Sequence, residues 1–256
     1  MIKRILLVAL LMLAAARAGA ADYTDIWYLP AESGWGVNVV QSNNFLFMTF
    51  FPYGADGKPT WYVAQVTQDA SGNFNGTLYS FTGTYFALPW AGNILSVAGT
   101  ASFRPTSPYT ATLVYTVNGV GTVTKSIQRQ TLTAITIGGT YAGAQAGSYS
   151  GCNNPAQNQL YTDHFNLQVT QFVDGSARFA FAYTGSGMTC TLAGTLVQYG
   201  QLYTVPTATY QCSTGLNTAA SMAEIKATSL GIEGRFSAPS VGGGCREDAN
   251  FSAVLQ

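Results

Sequence analysis

Histidine is nearly absent from this chain: His164 is the only one in 256 residues. That excludes multi-histidine metal sites and leaves a Ser-His-Asp arrangement one place at most to form. His164 follows Asp163, but neighbours on a strand project to opposite faces, so the two read as separate surface side chains. There is no Gly-x-Ser-x-Gly elbow, and Gly147-Ser148-Tyr149-Ser150-Gly151 puts a tyrosine where its serine would stand. No catalytic residue, metal or cofactor is expected.

Charge is scarce as well, at 9% of residues. Removing an N-terminal leader that holds Lys3, Arg4 and Arg17 leaves 11 − 3 = 8 basic residues against 11 acidic ones, a net charge near −3. A nucleic-acid partner is excluded on that balance. The spacing of Asp25, Glu32, Asp163, Glu224, Glu233, Glu247 and Asp248 selects no glycosidase pair. Gly54 to Pro59 and Asp69 to Asn73 read as ordinary turns rather than calcium loops.

Only one long apolar run occurs, Ile5 to Ala16. It follows Met-Ile-Lys-Arg and precedes Ala18-Gly19-Ala20-Ala21, the pattern of a secretory signal peptide spanning residues 1–21 and cut after Ala20 or Ala21. It is shorter than the roughly 20 residues that cross a bilayer. No transmembrane segment is expected after cleavage, and the mature chain is expected to be secreted or periplasmic. Cysteine is missing from the first 151 residues, and the four present, Cys152, Cys190, Cys212 and Cys245, are an even number without zinc spacing. Cys190 and Cys212 lie symmetrically about Gln201, so a hairpin turning there pairs them and leaves Cys152 to pair with Cys245.

What remains is rich in Gly, Ser, Thr, Asn, Gln and Tyr, a mix that suits pleated strands and tight turns. Short alternating segments follow one another: Trp35 to Val39, Phe45 to Phe51, Trp61 to Val66, Phe74 to Phe81, Val97 to Phe103, Ala111 to Val117 and Thr122 to Leu132. The pattern predicts a β-meander of six or seven strands, then a second β series after a composition shift near residue 136. The expected fold class is all-β, two small antiparallel β-barrel or sandwich-like domains over 22–135 and 136–256. Thr218 to Met222 is the best helix candidate, with a loop as the alternative.

"PAESGWGVNVVQSNNFLFMTFFPYGADGKPTWYV", from Pro30, and the later "VNGVGTVTKSIQRQTL" resemble a recurring domain of exported proteobacterial proteins marked by Glu-Ser-Gly-Trp-Gly. The second half, with "GSYSGC", "CTLAGTLVQYG", "YQC" and "GGGC", is similar to companion domains of such proteins. The resemblance implies export and β-architecture and carries no catalytic residues across. Glu32 in the motif is expected to close the first strand on the last through a salt bridge to Arg129, with Lys125, four residues away on the same face, as the other candidate.

Aromatics make up 13% of the chain. Trp27, Trp35 and Trp61 read as structural. Tyr85, Phe86 and Trp90, in the connection Thr82 to Asn93, read as ligand contacts. The function expected is a non-catalytic binding module for a carbohydrate, cell-envelope component or apolar small ligand. A hydrolase or hydrolase accessory and a structural surface component are the alternatives.

Overall fold

The structure is a computed structural model that describes residues 21–256. All but the last residue of the expected leader therefore lies outside the described residues. The first eight strands are β1 (Asp25–Tyr28), β2 (Gly36–Ser42), β3 (Phe45–Phe51), β4 (Tyr62–Gln68), β5 (Phe74–Gly83), β6 (Asn93–Pro105), β7 (Thr110–Val117) and β8 (Gly121–Arg129). Each pairs antiparallel with the next, and β8 closes on β1 through Trp27↔Arg129 and Tyr28↔Gln128. The count is eight rather than six or seven because β1 has only four residues, too few to register as an alternating segment.

Nine strands follow: β9 (Gly139–Ser150), β10 (Gln159–Gln171), β11 (Ser176–Tyr183), β12 (Thr189–Thr195), β13 (Val197–Tyr199), β14 (Leu202–Cys212), β15 (Asn217–Ala227), β16 (Gly231–Ala238) and β17 (Arg246–Leu255). β17 pairs with β9, and β12 pairs with β14, which closes a second eight-stranded barrel with β13 as a short addition to β14. Thr218 to Met222, the helix candidate, lies inside β15, where cross-strand pairing with β14 and β16 overrides its local preference. The fold is all-β with two closed antiparallel barrels. Among the described residues no helix is long and apolar enough to cross a membrane.

Inward parity is apolar in both barrels. Trp27, Leu46, Met48, Phe74, Leu78, Phe103 and Leu113 fill the first, with Trp27 and Phe103 edge-on at 5.0 Å. Phe165, Leu167, Phe179, Leu192, Tyr210 and Met222 help to fill the second. An eight-stranded barrel is just wide enough for its own side chains, so rings of this size occupy the space a ligand would need. Sites for other molecules are moved to the mouths and outer faces.

One mouth of the first barrel meets the second barrel. Buried Arg129 pairs with buried Asp25 at 3.1 Å and donates to the carbonyls of Pro108, Thr24 and Asp22. The turn between β13 and β14 enters here: Gln201 N–H donates to Asp25 Oδ2 and Gly200 N–H to Thr131 Oγ1. Gly200 has φ +60°, and a Cβ on it would lie 2.1 Å from Asp25 Oδ2, so this turn requires glycine. Tyr109 stacks on Tyr199 at 5.0 Å, and its hydroxyl accepts the backbone N–H of Glu224. The disulfides are Cys190–Cys212, at directly paired positions of β12 and β14, and Cys152–Cys245.

Candidate functional site at the free barrel mouth

Because the first barrel runs strictly up and down, its connections alternate between the two ends. The turns 29–35, 52–61, 84–92 and 118–120 all fall at the mouth away from the second barrel. The Glu-Ser-Gly-Trp-Gly motif forms the first of them. Glu32 Oε2 accepts from Lys125 Nζ and from Trp35 Nε1 at 3.0 Å, while the Lys125 ammonium sits 4.7 Å from the centre of the Trp35 ring. The bond from Lys125 holds the Glu32 carboxyl below its ordinary pKa.

The expected bridge from Glu32 to Arg129 does not form, and Lys125 takes that place. In the β1–β8 pairing Trp27 faces Arg129, so each step along β1 moves one residue back along β8, and the level of Ala31 matches Lys125. Arg129 lies four residues, roughly 13 Å, further along at the other mouth. Lys125 and Arg129 share a face as expected, but they serve opposite ends of the barrel.

The motif also shapes its neighbour. Gly34 has φ +103°, its carbonyl accepts the Tyr53 hydroxyl at 2.9 Å, and a Cβ there would lie 2.9 Å from that oxygen. Tyr53 and Pro59 form a β-bridge within the 52–61 loop, and Thr60 N–H closes it onto Pro52 O. Between this loop and the outer face of β3 lies an open slot of about 410 Å³, walled by Phe51, Pro52, Tyr53, Pro59, Thr60 and Trp61.

Trp61 is half exposed, a correction to its structural assignment. One step beyond the β3–β4 and β4–β5 pairings, Phe51, Trp61 and Phe81 come level, and Phe81 pairs with Leu95. The Trp61 and Phe81 rings lie parallel within 4°, with centres 5.1 Å apart. This outward row was overlooked in the sequence, although it left a signal. Phe45 to Phe51 is apolar at both parities, and only one parity can face a barrel interior.

Tyr85, Phe86 and Trp90 are exposed by 60%, 89% and 73% and lie at the far end of the same mouth. Thr82, Gly83 and Asn93, expected in a loop, are paired in the β5–β6 ribbon, which leaves 84–92 as its tip. The sequence-derived ligand contacts and the slot are thus at one end of the barrel, while Arg129 and the cysteines are elsewhere.

Titratable groups gather inside the second barrel instead. Buried Glu247 accepts from the Tyr161 hydroxyl, Gln145 Nε2 donates to Tyr161 Oη at 3.1 Å, and Tyr183 donates to Gln145 Oε1 at 3.2 Å. Burial raises the pKa of Glu247, and burial followed by the Glu247 charge pushes Tyr149 up to about 12. These groups are packed among core side chains. On β10, Asp163 Oδ1 accepts the backbone N–H groups of His164 and Gly185 rather than the imidazole.

A groove of about 780 Å³ crosses the outer face of the second barrel, with walls that include Ser148, Ser221, Ala223 and Asn250. Its charged rims are closed by the pairs Arg235–Glu224 and Arg246–Asp248. Leu160, Tyr161 and Phe236 also line it, but so do the charged Glu224, Arg235 and Asp248, whereas the aromatic slot has no charged side chain in its lining and suits a neutral ring better. No protein-family model matches the chain, and no curated protein matches its sequence.

Proposed function

We propose that this chain is an exported, non-catalytic binding module of the Glu-Ser-Gly-Trp-Gly kind, which holds a ring of a cell-envelope carbohydrate in the slot between Phe51, Tyr53 and Trp61. The observation that carries the reading is the slot itself. It has flat aromatic and proline walls, the Thr49 and Thr60 side chains beside them, and no ionisable side chain other than the Tyr53 phenol in its lining. Sugar rings present one apolar face and a rim of hydroxyls, which suits such walls. Two disulfides suit the oxidising compartment that export would provide. Tyr85, Phe86 and Trp90 project beyond the slot and serve a separate contact.

Pull-down on insoluble polysaccharides and cell-wall fragments tests this. Retention of the wild type is expected, and Trp61→Ala should weaken it by about two- to tenfold, the worth of one stacked ring. Wild type that is not retained but hydrolyses a polymer would replace the reading with the enzyme alternative.

A further inference from the structure

We propose that the tip of the β5–β6 ribbon, Tyr85 to Trp90, inserts into the interfacial layer of an electrically neutral lipid surface. This goes beyond carbohydrate binding and uses different residues.

The geometry comes from the pairings. β4 accompanies β5 only as far as Val63↔Tyr79, and β7 accompanies β6 only from Gly99↔Val117 onward. The β5–β6 ribbon continues without a strand on either side through Ser80↔Ser96, Phe81↔Leu95, Thr82↔Ile94 and Gly83↔Asn93, with Trp61 stacked beside Phe81. Beyond Phe81, two strand residues and the tip stand free, and the strand pair alone reaches roughly 7 Å, within the ~5–10 Å depth of interfacial burial.

The chemistry fits a lipid boundary. Tyr85, Phe86, Leu88 and Trp90 are each more than half exposed, and no charged residue occurs from Ala70 to Phe103. Tyrosine and tryptophan favour the headgroup level, while Phe86 and Leu88 supply apolar area for the layer beneath. Polar groups in the tip are turned on one another, as a medium poor in water demands. Thr84 Oγ1 donates to Gly92 O and accepts from Ala91 N–H, Thr84 N–H donates to Gly92 O, and Leu88 N–H donates to Tyr85 O. The charges on the neighbouring turns are paired with each other, Glu32 with Lys125 and Asp56 with Lys58.

A protein partner is the weaker match, because a stable interface needs about 800 Å² on each side, and the four tip side chains with Ile94, Leu95 and Val97 on β6 form only a narrow two-stranded strip. The acidic balance of the chain beyond its leader gives no attraction to anionic lipid. Apolar contact is left as the driving force, and charge screening by sodium chloride does not weaken it.

Flotation of the mature chain with phosphatidylcholine vesicles, at low and high salt, is the test. The wild type should float equally at both, with Trp90 emission quenched by brominated lipid. Phe86→Asp combined with Leu88→Asp should reduce partitioning by at least about tenfold at an unchanged melting temperature, since each buried large side chain is worth roughly that factor. Val173→Asp, at a fully exposed position on the second barrel, should float like wild type. Three results would overturn the proposal: wild type that stays in the bottom fraction, flotation that needs anionic lipid and is reversed by salt, or a tip variant that floats undiminished. Concentration-dependent dimerisation through β6 without flotation would assign the ribbon to a second copy instead.

Discussion

Glu247 shows how one buried side chain sets a pH response. It lies inside the second barrel with a Tyr161 hydroxyl as donor, and burial raises its pKa in the folded protein. The native state therefore keeps this proton to higher pH than the unfolded chain does. Stability from this site is greatest below the unfolded pKa of about 4.3 and declines as pH rises through and above it. Glu247→Gln keeps an acceptor for Tyr161 and removes the titration. Calorimetry between about pH 4 and 8 should find the wild type losing stability relative to this variant as pH rises; parallel curves would show that Glu247 ionises without penalty. None of this was legible in the sequence, where Glu247 is one of seven carboxylates whose spacing selects no pair. Glu32 was legible as one end of an ion pair because its motif precedes a strand. Its partner was not, because choosing between Lys125 and Arg129 requires the β1–β8 register, and β1 was too short to be seen.

Among the elements, the hairpins were read most securely. Turn residues fix their centres, so the symmetry of Cys190 and Cys212 about Gln201 sufficed to pair them, and Cys152 with Cys245 followed. The bond Cys190–Cys212 closes a span of 22 residues. Replacing both cysteines with serine should lower stability by about 3 kcal/mol on the chain-entropy model, measured by urea unfolding of oxidised protein. An unchanged midpoint would mean that the β12–β14 pairing holds the hairpin unaided. The slot was harder to read than the hairpins. Phe51, Tyr53 and Trp61 come from one loop and its flanks, but only the pairing of β3, β4 and β5 shows that Trp61 stands on the outer face beside Phe81. The exposed tip was legible from Tyr85, Phe86 and Trp90 among turn residues, whereas the ribbon that carries it was mistaken for loop.

In the whole molecule the two barrels meet at one end of the first. One mouth of the first is fixed on the second by Asp25, Arg129, Tyr109 and the Gly200 turn, and this junction directs the other mouth away. Slot, motif turn and ribbon tip are thereby gathered at a single free end. The packed interiors follow from an eight-stranded closure filled by large rings, which alternation alone does not distinguish from a sandwich. We propose that this free end binds carbohydrate. Backbone and indole NMR shifts recorded on residues 22–256 during titration with soluble cell-wall oligosaccharides decide it. Saturable changes confined to Phe51, Tyr53, Thr60 and the Trp61 indole are expected; changes confined to the Ser221–Asn250 groove of the second barrel, or none at saturating ligand, would rule the reading out.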